Sequence, residues 1–323
     1  MKPKVFVTRP LPAAALELLS SACEVRSYSM DAAIPLPQLS EECSVVEGIL
    51  VNSARVNEEV LRAAPRVRAI SNCGVGYDNI DVEACNRRRI PITNTAGSLE
   101  ETTADLAFAL LLATARRAIE ADRYVREGRW ERWQWGLLHG LDVHHKTLGL
   151  LGFGGIGQPT ARRGHGFSMR ILYSARHRAA DSLELELHAQ YADFETLLRE
   201  SDFLSLHVPL TPETRHIVDG KALSLMKNTA ILVNTARGPV VDEKALVEAL
   251  KSRKIAGAGL DVFEGEPQVN PELLSLDNVV LAPHIGSATG ETRLNMAMLA
   301  VKNLIAMLDG QRPRNVVNPE IYV

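Results

Sequence analysis

Lys146-Thr-Leu-Gly-Leu-Leu-Gly-Phe-Gly-Gly-Ile-Gly157 runs from a short apolar strand into a cluster of glycines, and Gln158-Pro-Thr-Ala-Arg-Arg163 continues as a helix. A strand, a turn without side chains and a helix start are what a pyrophosphate needs. The glycines permit a tight turn and close backbone approach, and the first helical turn presents unpaired N–H groups to the anion. Pro159 falls in that first turn, where its missing donor costs little. Gly154, Gly155, Ile156 and Gly157 are therefore expected to bind a dinucleotide.

Outward from this stretch, short β-rich runs alternate with helical ones. Upstream lie Val5–Val7, Gly48–Val51, Arg68–Ser71 and Ile90–Thr93, and residues 1–97 hold four or five such runs. From the glycine strand onward come Leu148–Leu151, Ile171–Tyr173, Phe203–His207, Ile231–Asn234, Gly259–Val262 and Val279–Ala282. Alternation of this kind predicts an α/β chain with two doubly wound parallel sheets, a Rossmann-type nucleotide-binding domain and a smaller flavodoxin-like one. Ser98-Leu-Glu-Glu101 has capping-box spacing and opens a long helix over Thr102–Ala118. The segment Glu291–Leu308 reads as an amphipathic helix that follows the completed second sheet and packs back on the first domain. The expected division is thus a discontinuous substrate domain, 1–98 with 288–323, and a cofactor domain, 99–287, hinged over a cleft.

Composition excludes several functions. Lys and Arg number 36 against 39 Asp and Glu, so there is no overall positive field for nucleic acid or anionic lipid. No apolar stretch approaches the roughly 18 residues of a membrane span, and no export signal precedes the first strand, so a cytoplasmic protein is expected. Cys23, Cys43, Cys73 and Cys85 form no Cys-x-x-Cys pair, and no His-Glu-x-x-His pattern occurs; neither a disulfide framework nor a metal site is expected.

Three polar residues follow the ends of separate strand-like runs. Arg237 lies in Asn234-Thr-Ala-Arg-Gly-Pro-Val-Val-Asp242, Glu266 in Gly259-Leu-Asp-Val-Phe-Glu-Gly-Glu-Pro267, and His284 in Val279-Val-Leu-Ala-Pro-His-Ile-Gly-Ser287. Ligands of open α/β sheets bind at that carboxyl edge. A guanidinium can grip a 2-oxo carboxylate in two bonds, and an imidazole can supply the proton needed when hydride reaches the carbonyl carbon. A neighbouring carboxylate orients the ring and favours its charged form. Each residue taken singly could be structural; as a trio they point to hydride transfer to a 2-oxo acid.

The choice of nicotinamide cofactor depends on the strand after the glycines. No acidic residue lies between Gly157 and Asp181 to bind the ribose 2′-hydroxyl of NAD, and Ile171–Tyr173 ends in Ser174-Ala-Arg176-His-Arg178. Guanidinium groups match a 2′-phosphate, so NADP is the expected cofactor, with NAD also possible and a solvated basic loop as the bland alternative.

The motifs Leu151–Gly157, Asn234–Asp242, Gly259–Pro267 and Ala282-Pro-His-Ile-Gly-Ser-Ala-Thr289 resemble those of the D-isomer-specific 2-hydroxyacid dehydrogenases, over nearly the whole chain. The resemblance implies catalytic roles for Arg237, Glu266 and His284. It implies a substrate-binding loop in Asn72-Cys-Gly-Val-Gly-Tyr-Asp-Asn-Ile-Asp81, with Val75 and Gly76 holding the carboxylate beside Arg237 and His284. It further implies cofactor contacts from Thr103, Ser174, Arg176, His207-Val208-Pro209, Thr235, Asp261, His284 and Gly286. Ala104–Arg116, Asp142–Gly149 and Leu172–Arg178 look most like the glyoxylate/hydroxypyruvate reductases, especially the bacterial branch that also reduces 2-ketogluconate and favours NADPH. Two departures stand out: Gly155 occupies a position often held by Arg, and Ala96-Gly-Ser-Leu-Glu100 replaces a Pro-containing stretch. Cys73 could confer sensitivity to oxidation or be an inert buried thiol. Trp130, Trp133 and Trp135 suit either an interface anchor or a local cluster, and the resemblance implies a homodimer through this arm. Rival readings are an NAD-linked D-3-phosphoglycerate or other D-2-hydroxyacid dehydrogenase and a dinucleotide-sensing corepressor of the same fold.

Overall fold

A computed structural model describes residues 1–322. The chain divides into two compact units, one made of Met1–Leu99 with Ala288–Val323 and the other of Glu100–Ser287.

The first unit holds five strands, β1 (Lys4–Val7), β2 (Glu24–Ser27), β3 (Gly48–Val51), β4 (Ala69–Asn72) and β5 (Ile92–Thr93), in the order β2-β1-β3-β4-β5. All the pairings are parallel. Side chains alternate across the pleat: Phe6, Ile49, Val51 and Ile70 join one apolar layer, while Val5, Val7, Leu50 and Ala69 join the other. The second layer is completed from the far end of the chain by the helix Gly290–Leu308, whose Ala297, Ala300, Val301 and Leu304 pack on it. Polar contacts fix that return: Ser71 Oγ donates to the Ala300 carbonyl at 2.8 Å, and an Arg68 guanidinium N–H donates to the Leu308 carbonyl at 2.6 Å.

The second unit holds β6 (Thr147–Leu151), β7 (Arg170–Ser174), β8 (Ala189–Tyr191), β9 (Phe203–Leu206), β10 (Ile231–Asn234), β11 (Gly257–Leu260) and β12 (Val279–Leu281). Their order is β12-β11-β10-β9-β6-β7-β8, again parallel throughout. Strand order reverses between β6 and β9, so the glycine turn after β6 opens at the topological switch point. This sheet has seven strands, one more than the sequence suggested. The extra one, β8, is an edge strand with exposed Gln190 and Tyr191, too polar and short to stand out.

The long helix predicted over Thr102–Ala118 is two helices, Glu100–Ala115 and Ala118–Arg126. Between them Arg117 adopts a left-handed conformation, φ 53°, and its guanidinium bonds Glu120 in the next helix at 2.8 Å. The Ala115 carbonyl, which would have continued the first helix, accepts from the Leu141 amide at 2.8 Å. Helix Glu100–Ala115 lies flush on β11: a Cβ on Gly259 would fall 2.9 Å from Leu110 Cβ, and one on Gly257 3.0 Å from Thr114 Cγ2. That contact explains why the helix is apolar on more than one side. Among the described residues no helix is long and apolar enough to cross a membrane.

Candidate active site

Loops leaving β10, β11 and β12 carry the three polar residues picked out in the sequence, all within the second unit. Asn234, buried at the end of β10, ties the first loop: its side-chain amide donates to the Arg237 carbonyl at 2.9 Å and its Oδ1 accepts from the Ala236 amide at 3.0 Å. Gly238 then presses on the second loop. A Cβ there would lie 1.9 Å from the Phe263 carbonyl carbon and 2.4 Å from the Glu264 amide nitrogen, so the loops bearing Arg237 and Glu266 touch backbone to backbone.

Glu266 is held at both oxygens. Oε1 accepts from the Phe263 amide at 2.9 Å, and Oε2 is 2.8 Å from His284 Nδ1. Burial works to raise its pKa, but the bond to His284, the charge of that ring, the Phe263 amide and the Arg237 guanidinium together outweigh it, so the carboxyl sits below its ordinary range. His284 has φ 53°. Asp261 secures the backbone around it: its carbonyl accepts from the His284 amide at 2.9 Å, and its two carboxylate oxygens accept from Ile285 and Gly286 at 2.7 and 2.8 Å. Burial raises the pKa of Asp261, against those two amides and the His284 charge. The structure thus joins His284 to Glu266 directly and places Arg237 within electrostatic reach of Glu266.

The residues expected to hold a dinucleotide line the same edge. Gly152, φ 98°, has no room for a side chain, since a Cβ would meet the His207 carbonyl oxygen at 2.4 Å, and one on Gly157 would meet the Gly152 oxygen at 2.3 Å. Gly154 faces open space. Ile156, at the start of helix Gly157–Gly166, provides no side-chain cap. Whether these residues suit a cofactor is answered by two buried polar atoms: Thr235 Oγ1 and His207 Nδ1 have no hydrogen-bond partner among the described residues. His207 Nε2 is 2.9 Å from Ser205 Oγ, and full desolvation lowers the ring's pKa to about 3, so it is neutral at physiological pH. Thr103 is buried where a Cβ on Gly286 would meet its side chain at 3.4 Å. Glycine cradle and orphaned donors and acceptors fit a dinucleotide. Val208 and Pro209 follow His207 on the loop after β9, and Ser174 is buried at the end of β7.

Beyond β7 the two arginines part company. Both are exposed, but Arg178 is bound to Glu184 by two bonds, of 3.0 and 2.7 Å, while the charge of Arg176 adds the smallest of the effects that lower the pKa of Glu213 on the loop after His207. Sequence reasoning grouped them because both followed the strand. It missed Glu184 and Tyr173 altogether, since a carboxylate in a later helix and a tyrosine in an apolar strand give no local signal.

Val75 and Gly76 belong to the first unit, on the loop after β4. The Asn72 side-chain amide donates to the Gly74 and Gly76 carbonyls at 3.1 and 2.8 Å, and Asn94 donates to the Val75 carbonyl at 2.9 Å. These bonds engage three successive carbonyls and fix the backbone of the loop. Cys73 beside this loop is half-buried, and desolvation pushes its thiol up to about 11. Among the described residues no group of three or more His, Cys, Asp or Glu is placed to hold a metal ion.

Comparison with known proteins agrees with this geometry. Residues 108–286 match the family model of the D-isomer specific 2-hydroxyacid dehydrogenase, NAD binding domain. A glyoxylate reductase of Thermococcus litoralis is 51% identical over 99% of this chain and 98% of its own. Among solved structures, a glyoxylate reductase from Paecilomyes thermophila superposes with a TM-score of 0.89 at 36% identity, covering 99% of each chain. An NADPH-dependent glyoxylate/hydroxypyruvate reductase from Sinorhizobium meliloti, in complex with NADP and malonate, does so with 0.88 at 35% identity, over 98% of this chain and 97% of that one. The parallel sheets, the glycine turn at the switch point and the matched sequence make one statement: this chain belongs to the D-isomer-specific 2-hydroxyacid dehydrogenase family and is an NAD(P)-dependent dehydrogenase.

Proposed function

We propose that the protein is a cytoplasmic, homodimeric reductase of glyoxylate, hydroxypyruvate and 2-ketogluconate that uses NADPH in preference to NADH. The observation that carries the reading is the 2.8 Å bond between His284 Nδ1 and Glu266 Oε2, with Arg237 acting on the same carboxylate. Relatives named glyoxylate reductase at about half identity supply the substrate class. The cofactor preference is supported by the absence of an acid after β7, by exposed Arg176, and by the NADP-bound Sinorhizobium meliloti neighbour.

The geometry supports the following roles. With Nδ1 engaged by Glu266, the ring offers Nε2 to substrate, so His284 gives its proton to the carbonyl oxygen from that atom. Glu266 stays ionised and holds the ring in that orientation. Arg237 grips the carboxylate and draws charge toward the carbonyl oxygen. Gly154, Gly155, Ile156, Gly157, Thr103, Ser174, Arg176, His207, Val208, Pro209, Thr235, Asp261 and Gly286 would hold the cofactor. When bound, a reduced nicotinamide supplies the hydride; with the His284 proton on oxygen, the 2-oxo acid leaves as the D-2-hydroxy acid.

Initial rates with NADPH and NADH against glyoxylate, hydroxypyruvate, 2-ketogluconate and pyruvate test the proposal. NADPH with glyoxylate should give the highest kcat/KM, and His284→Asn should lower kcat by about 10²–10⁴-fold. No turnover with any of the four acids, or near-normal kcat in His284→Asn, refutes it.

A further inference from the structure

The turn after β7 contains a charge network that the proposed reaction leaves unexplained. Tyr173 is fully buried, its ring stacked on Phe153 of the glycine turn with centroids 4.0 Å apart and planes 17° from parallel. Its hydroxyl donates to Glu184 Oε1 at 2.5 Å and accepts from the Ala179 amide at 2.8 Å. Glu184, on the helix Asp181–Leu187, is only 9% exposed, and it also takes both bonds from Arg178. One carboxylate therefore fastens the end of the Ser174–Ala180 turn to the strand. The bonds from Arg178 and Tyr173 hold Glu184 down to about 2, while burial and Glu184 push Tyr173 up to about 12, so the network keeps its charges across the working pH range.

This has a consequence for the two guanidinium groups. A bidentate pair with a carboxylate is electrically neutral and uses the forked donors that would otherwise match a phosphate. Arg178 is spent in this way. Arg176, two residues earlier, is exposed and makes no such pair with Glu184.

We propose that Glu184 is the residue that limits NADP discrimination: by sequestering Arg178 it leaves Arg176 as the one guanidinium of the turn that reads the 2′-phosphate. The proposal rests on the NADPH reading above only for the role of Arg176. Sequestration of Arg178 is a separate prediction, because freeing a positive charge beside the turn favours the phosphorylated cofactor whichever one the wild type prefers.

The test is the preference for NADPH over NADH, expressed as the ratio of association constants (1/Kd) from fluorescence titration without substrate and as the ratio of kcat/KM, a quantity insensitive to the folded fraction of each variant and unmoved by a merely structural defect shared by both cofactors. Arg176→Gln should lower the ratio about tenfold or more, as expected for loss of a charge-assisted phosphate contact. Glu184→Gln, nearly isosteric and still able to bond Tyr173, should raise it about threefold or more, by releasing one charge. The double variant Arg178→Gln/Glu184→Gln removes a neutral pair and should return the ratio to within about twofold of wild type. A ratio that falls in Glu184→Gln, or collapses in the double variant, overturns the proposal, since Arg178 would then read the phosphate while paired. A wild type that favours NADH, with Glu184→Gln still raising the ratio, refutes the NADPH reading and upholds the sequestration.

Discussion

His207 shows how much a single buried atom decides. Its ring has Nε2 bonded to Ser205 and Nδ1 bonded to nothing among the described residues, in surroundings that lower its pKa from 6.5 to about 3. Between those values the unfolded chain binds the His207 proton and the folded chain does not. Stability therefore rises with pH across that window, and above 6.5 this residue adds no slope. His207→Gln should flatten the dependence by up to one proton, read from the pH dependence of denaturant unfolding midpoints; an unchanged slope would show that the ring titrates normally. At this scale the candidate site was largely legible. Arg237, Glu266 and His284 each follow a recognisable strand, and the chemistry of hydride transfer names the residue types. Partners that arrive from elsewhere in the sequence were not legible: the Asp261 carboxylate behind Ile285 and Gly286, the Asn72 and Asn94 amides behind the loop after β4, and Glu184 behind Arg178.

Strands and loops set the next level of precision. The loop after β10 lies against the loop after β11 through Gly238, where a methyl group would collide with the Phe263 backbone rather than with a flexible side chain. Gly238→Ala should therefore cost about 1–3 kcal/mol in stability, as overpacking does, and should lower kcat/KM for the 2-oxo acid by displacing Arg237 from Glu266. Thermal unfolding with steady-state kinetics checks both; a variant with wild-type melting and rate would mean that the loops part without consequence. Central strands were readable because they are continuous apolar runs buried on both faces, β10 matching its predicted span at both ends. Two of the edge strands were not: β8 offers Ala-Gln-Tyr, with two of three residues exposed, and β2 offers Glu-Val-Arg-Ser, with three of four exposed. Nor was the break at Arg117, because helical periodicity runs on through a residue whose conformation is set by the distant Leu141 amide taking the Ala115 carbonyl.

For the whole molecule, alternation of strand and helix was enough to give two parallel sheets, since parallel strands need crossovers and crossovers are helices. The proposed homodimer is the molecular property that alternation does not reach. Trp130, Trp133 and Trp135 are 57%, 72% and 81% exposed, and the last two rings meet edge-on at 6.0 Å. Aromatic surface so concentrated suits an interface core, where a truncated tryptophan typically costs 2 kcal/mol or more, about a 30-fold weaker association. Sedimentation velocity should find a dimer for the wild type and a shift toward monomer for Trp133→Ser with Trp135→Ser; a monomeric wild type would reject the interface. The return of helix Gly290–Leu308 to the first sheet has a further effect, felt while the protein is being made. The Glu100–Ser287 unit is contiguous and can fold as soon as it leaves the ribosome. The sheet that begins the chain cannot finish burying Val5, Leu50 and Ala69, which the early helix Ala13–Ala22 covers only in part, until a helix translated almost 200 residues later than its last strand arrives, so the nascent chain carries a partly uncovered apolar face through most of its synthesis, and that face is where a chaperone has most to protect.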